Sequence, residues 1–192
     1  LIAALGAGAL VCAHGAYAAS DDVVSTLCVA CHGEAGNSVV PTYPKLAGLQ
    51  ADYIAKQLKD FLAGKRKSDV MSPALESVKK GDVWPIAAYY AAQKPAAGKA
   101  DDATLAAAGR KLYEQGNDAS GVPGCVGCHH ANGEGDAANP RIAGQHQAYT
   151  IQQMGDFRSG ARSNDKGRVM RVIAVRMTDD EIKAVAEYLA AP

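Results

Sequence analysis

Polar and apolar positions along this chain recur at the period of helices and nowhere sustain the alternation of strands. Tyr53, Ile54, Gln57, Leu58 and Phe61 follow i, i+3 and i+4 spacing, which predicts a helix over about 52–62. Ahead of it, Ser20 or Asp21 can cap a helix running into Cys28. A third helix starts near Asp82, carries Trp84 and Tyr89, and tolerates Pro85 in its first turn. Asp101 or Asp102 opens a fourth that Gly116 ends. A fifth covers about 147–158, and the last opens on Thr178-Asp-Asp-Glu181, a capping box. The predicted fold class is all-α.

The pattern is written twice. Pro44-Lys-Leu-Ala-Gly48 returns as Pro140-Arg-Ile-Ala-Gly144, Tyr53 as Tyr149, Gln57 as Gln153, and Asp60–Phe61 as Asp156–Phe157. Met71 returns as Met170, and Ala87-Ala-Tyr-Tyr90 as Ala186-Glu-Tyr-Leu189. A near-constant offset means one structural unit duplicated. Gln93 to Asp101 holds Pro and Gly without apolar periodicity and reads as the connection. The expected organisation is a first unit at 19–93, a linker at 94–101 and a second unit at 102–192.

Each unit contains C-x-x-C-H, at Cys28–His32 and Cys125–His129. On a helical turn, residues i, i+3 and i+4 share a face. Two thiols can then reach the two vinyl groups of one porphyrin while the next imidazole reaches its iron. The motif therefore predicts two covalently bound haems c, with Cys28, Cys31, Cys125 and Cys128 as attachment points and His32 and His129 as axial ligands. A four-cysteine zinc site or two redox dithiols are the other readings. Zinc gives no reason for a histidine after both pairs, and a thioredoxin-like dithiol needs a βαβ context that is not visible.

The sixth iron position decides between an electron carrier and a ligand-binding centre. Met71 and Met170 stand at the same place in their repeats, each expected in a loop before the last helix, and are the candidate axial sulfurs. Met177 is the alternative for the second site. Met154 aligns with Leu58 and reads as core filler. His130 and His146 suit surface or capping roles. Lys65, Arg66, Lys67, Arg162, Arg168, Arg171 and Arg176 read as solvated loop charges, with partner docking near a haem edge as a further use.

Twenty basic and twenty acidic residues cancel, so the chain carries no electrostatic footprint for nucleic acid. Residues 1–18 hold no Lys, Arg, Asp or Glu, and Ala16-Tyr-Ala18 is an A-x-A cleavage pattern. The segment reads as a clipped Sec signal peptide, with an uncleaved anchor as the alternative. Cys12 lies inside it, after Val11, a poor residue before a lipid-modified cysteine.

These motifs, with the paired P-[KR]-[LI]-A-G segments and repeated Met, make the sequence resemble the dihaem cytochrome c4 family from Ser20 to Ala190. The resemblance implies two tandem class I cytochrome c domains, each wrapped around one haem, with the haems facing across the domain interface. It implies that the Pro44 and Pro140 carbonyls accept the Nδ1–H of His32 and His129. It also implies a periplasmic electron carrier of the respiratory chain. Electrons would arrive from a quinol-oxidising bc complex and leave to a cytochrome oxidase or a reductase. Family members are soluble or loosely held at the membrane surface. The rival is an enzyme, or the haem subunit of one, such as a sulfur-compound dehydrogenase. That reading wants an open axial position or a catalytic cysteine near a haem, and both halves carry a Met instead. A purely structural haem-binding domain is the third reading.

Overall fold

A computed structural model describes residues 23–192. The segment read as a signal peptide, and the caps expected at Ser20 and Asp21, lie outside the described residues. The regular structure among the described residues is helical, apart from an isolated antiparallel bridge between Asn117 and Val122. None of their helices is long and apolar enough to cross a membrane.

In the first half, a π-helical turn at Val24–Cys28 runs without a break into α1 (Val29–His32). Then come α2 (Ala51–Leu62), α3 (Met71–Ala74) and α4 (Val83–Ala91). α2 packs on α4. Val24, Ile54, Leu58, Leu75, Val78, Ile86 and Tyr90 form the buried core between them.

The second half has α5 (Ala103–Gln115), α6 (Val126–His129), α7 (Gln147–Ser159), α8 (Val169–Arg176) and α9 (Asp179–Ala190). The caps follow the sequence: Asp102 accepts from the amides of Thr104 and Leu105, both at 2.9 Å. Thr178 and Glu181 close the capping box at 3.2 and 2.7 Å. α5 crosses α9 at Gly109, where a Cβ would stand 1.9 Å from the Ala184 carbonyl oxygen. Only glycine allows the two backbones so close.

Two features depart from the sequence pattern. Met71 and Met170 lie in the first turns of α3 and α8 rather than in loops. Local acceptors wind both segments: Ser68 Oγ takes the amides of Val70 and Met71 at 3.3 and 3.2 Å, and Asp165 takes the Arg171 amide at 3.1 Å. The approaches to the two C-x-x-C-H turns also differ. The first is continuous helix. In the second, α5 stops at Gly116 (φ 73°), and a bridged loop returns the chain to Cys125.

The connecting segment is tied down along its length. Asn37 bonds the Lys94 carbonyl and the Ala96 amide, and Gln147 donates to the Lys99 carbonyl. Glu187 accepts from the amides of Asp101 and Asp102.

Candidate haem sites

The same clip builds both sites. The Gly36 carbonyl accepts from the amides of Leu46 and Ala47 at 2.8 and 3.2 Å, and Gly133 does so for Ile142 and Ala143 at 2.8 and 3.0 Å. Gly48 donates to Tyr90 in the last helix of its half at 3.0 Å, and Gly144 to Leu189 at 2.7 Å. The P-[KR]-[LI]-A-G segment is thus pinned between the C-x-x-C-H turn and the last helix of its own half. That placement carries a proline carbonyl to each histidine. His32 Nδ1 lies 2.9 Å from the Pro44 oxygen, and His129 Nδ1 lies 2.9 Å from the Pro140 oxygen.

A carbonyl only accepts, so the proton sits on Nδ1 and the Nε2 lone pair is left for a metal. Both rings are buried, 5% and 8% exposed. Burial lowers both imidazole pKa values against the opposing pull of the carbonyl, which favours the neutral, ligating form.

The four motif cysteines form no disulfide with one another. Burial raises the Cys28 thiol and pushes Cys125 up to about 11. Such thiols are protonated and poor nucleophiles at neutral pH. No three His, Cys, Asp or Glu side chains among the described residues converge as a metal cluster, so the two cysteine pairs do not meet in one four-thiolate site.

The residues fit a covalently held porphyrin. Each motif edges an apolar cluster: Cys28, Leu27, Leu46 and Met71 pack on the first core, and Cys125, Val126, Ile142, Met154 and Ile173 on the second. Among the described residues, two buried polar atoms, Tyr90 Oη and Arg141 Nε, have no nitrogen or oxygen hydrogen-bond partner, and Tyr90 Oη meets only the Cys28 thiol. The first belongs to the side chain facing Cys28, and the second follows Pro140. Unmet polar atoms at these places suit the polar edge of a bound group.

Met71 is half-buried against the first cluster, and Met170 is half-buried on α8. Met177 is 5% exposed inside the second core, and its repeat counterpart Val78 is 6% exposed inside the first. His130 is exposed and bonds Asp136 at 3.0 Å. His146 precedes α7 and reaches into the other half, with Nε2 2.9 Å from the Ser38 carbonyl.

Arg66 and Arg162 are not solvated loop charges; they are 9% and 8% exposed. Arg66 donates to Gln57 (2.8 Å) in its own half, and to Tyr149 (3.1 Å) and Gln153 (2.7 Å) across the seam. Arg162 mirrors it, donating to Gln153 (2.8 Å), Tyr53 (3.0 Å) and Gln57 (3.3 Å). Tyr53 and Gln57 are landmarks of the repeat, so the signal was present in the matched positions, but spacing alone does not say that the two copies meet. Beside this network, Gln145 bonds both the amide and the carbonyl of Lys45, and Gln50 spans the Arg141 amide and the Glu134 carbonyl.

The cytochrome c family profile matches twice, over residues 18–103 and 106–191. Cytochrome c4 of Azotobacter vinelandii is 42% identical over 190 residues, covering 92% of this chain and 90% of that protein. A thiosulfate dehydrogenase electron acceptor of Thiomonas intermedia is 38% identical, over 96% of this chain and 87% of its own. The crystal structure of reduced recombinant cytochrome c4 from Pseudomonas stutzeri superposes with a TM-score of 0.85 at 40% identity, covering 90% of this chain and 96% of that one.

Proposed function

The chain belongs to the dihaem cytochrome c4 family, with one covalent haem c in each tandem cytochrome c domain, and we propose its ligand set and its place in electron flow as follows. As in its relatives, the activity is electron transfer. Cys28 and Cys31 hold the first haem and Cys125 and Cys128 the second. His32 and Met71 ligate one iron, His129 and Met170 the other. The domains are 19–93 and 102–192, joined by 94–101.

The observation that carries this reading is the duplicated 2.9 Å bond from a buried histidine Nδ1 to a proline carbonyl. It fixes each ring and raises its basicity toward a metal. The haem iron supplies reversible one-electron exchange. The chain's own residues set its direction: a soft thioether favours the reduced state relative to a second imidazole, and a water-poor pocket pushes the same way. With a histidine nitrogen and a methionine sulfur offered to each haem by the chain, little in the protein would have to rearrange when an electron arrives.

The protein works in the periplasm after removal of its leader. It takes electrons from a bc-type quinol-oxidising complex and passes them to a cytochrome oxidase or reductase. A second reading is favoured by the relatives named as thiosulfate dehydrogenase electron acceptors. In it the donor is a sulfur-compound dehydrogenase, and the chain is its acceptor or haem subunit.

Optical spectra of both oxidation states, with and without carbon monoxide, test the ligand set. Two low-spin haems that ignore carbon monoxide are expected. Rapid stoichiometric carbon monoxide binding would mean an open iron and would favour a substrate-transforming centre. Reduction rates with purified bc complex and with thiosulfate dehydrogenase then separate the two donors.

A further inference from the structure

The seam between the halves holds two buried guanidiniums, and neither forms a salt bridge with a side chain among the described residues. The side-chain acceptors of Arg66 and Arg162 are neutral: Gln57, Gln153, Tyr53, Tyr149, and Asn164, which takes Arg162 Nε at 3.2 Å. The nearby carboxylates stand one amide further out. Asp60 is reached through Asn164 at 2.7 Å and is already held by Lys56, while Asp156 is reached through Gln153 at 3.0 Å. Two desolvated guanidiniums so arranged impose a positive potential on their surroundings. Tyr53 registers it. Burial pushes that phenol up, yet Arg162 and Arg66 outweigh burial and hold it below its ordinary value.

The same charges lie close to both haem crevices. Arg66 stacks over Phe61 at 4.7 Å, and Phe61 packs on the cluster that includes Cys28 and Met71. Arg162 stacks over Phe157 at 4.4 Å. On α7, Gln153 faces the seam, while its neighbour Met154 packs on the cluster that includes Cys125. Because each arginine donates to side chains of both halves, neither charge belongs to one domain.

We propose that Arg66 and Arg162 form one shared cationic element at the domain seam that favours the reduced state of both haems together. The proposal rests on the two-haem carrier reading and adds a tuning device to it. One-electron reduction lowers the charge of a redox centre by one, so a fixed positive neighbour stabilises the product and raises the potential. A unit charge about 12 Å away at an effective dielectric of about 20 shifts such an equilibrium roughly tenfold. For a one-electron couple this is about 59 mV.

Gln57→Glu is the direct test. The side chain keeps its shape, its oxygen already accepts from both arginines, and the change places a negative charge between them. In spectroelectrochemical titration of the holoprotein, both midpoint potentials should fall, each by the equivalent of about tenfold. The repeat-equivalent Gln153→Glu is a second variant with the same direction and a smaller fall, because Gln153 Nε2 donates to Asp156 and the new carboxylate would face that like charge. Tyr53→Phe and Tyr149→Phe remove bonds to the arginines without changing charge, and should leave both potentials within about twofold. A fall at one haem only, or at neither, overturns the shared element. So do tyrosine variants that shift as far as the glutamates, since packing would then be the cause. An unmodified protein whose spectra lack two Met-ligated haems would overturn the carrier reading itself; intact spectra with unmoved potentials overturn only the tuning.

Discussion

Met177 fills in the second half the place that Val78 fills in the first, each buried in the core of its own half. A methionine standing where the other copy has a valine suits packing, and the proposed ligand of the second haem is Met170, the repeat counterpart of Met71. Met177→Leu is therefore expected to keep both near-infrared Met-to-Fe(III) bands and to cost less than about 1.5 kcal/mol, as a volume-conserving change. Met170→Leu should abolish one band and admit carbon monoxide to one haem. Met154→Leu should leave both bands in place.

Asp165 holds the turn that presents Met170. Its side chain is 5% exposed and accepts the Arg171 Nε at 2.6 Å and the Arg171 amide at 3.1 Å. Burial alone would raise this carboxyl, but the bonds from Arg171 outweigh it and hold the pKa below the ordinary value. A carboxyl depressed in the folded state contributes stability above its unfolded pKa and loses it as pH falls through the folded one. Asp165→Asn should cost about 1–3 kcal/mol at pH 7. Denaturant titrations should also show a smaller loss of stability below about pH 4 than in the parent. An unchanged acid limb would refute the assignment.

Gly109→Ala should destabilise the second half by about 3 kcal/mol, because its methyl has no room against the Ala184 carbonyl and α5 must lift from α9. Guanidinium unfolding monitored at the second haem is the measurement. Gly155→Ala on α7, with open space around its Cβ, is the control and should cost under about 1 kcal/mol.

Each C-x-x-C-H is expected to load independently. Cys28→Ser with Cys31→Ser should yield a protein with one haem by intact mass after acid–acetone extraction, and the Cys125/Cys128 pair should do the converse. Loss of both haems from either double variant would show that the halves do not mature separately.

The sequence by itself determined what is local. C-x-x-C-H places its thiols and imidazole through the pitch of one helical turn, and Thr178 with Glu181, Asp102 and Gly116 mark helix ends through bonds to backbone a few residues away. Repetition supplied the two-unit plan and singled out Met71 and Met170, because matched positions in duplicated units meet matched environments. Other features depend on a surface contributed by the other copy. Lys65-Arg66-Lys67 reads as a solvated run in sequence, yet Arg66 is buried because Tyr149 and Gln153 arrive from the second half to accept its bonds. His146, which the sequence left to a surface or capping role, meets Ser38 in the same way. No periodicity encodes such meetings: a guanidinium's burial is decided by which acceptors converge on it, and convergence across a domain seam exists only after both halves have folded and docked.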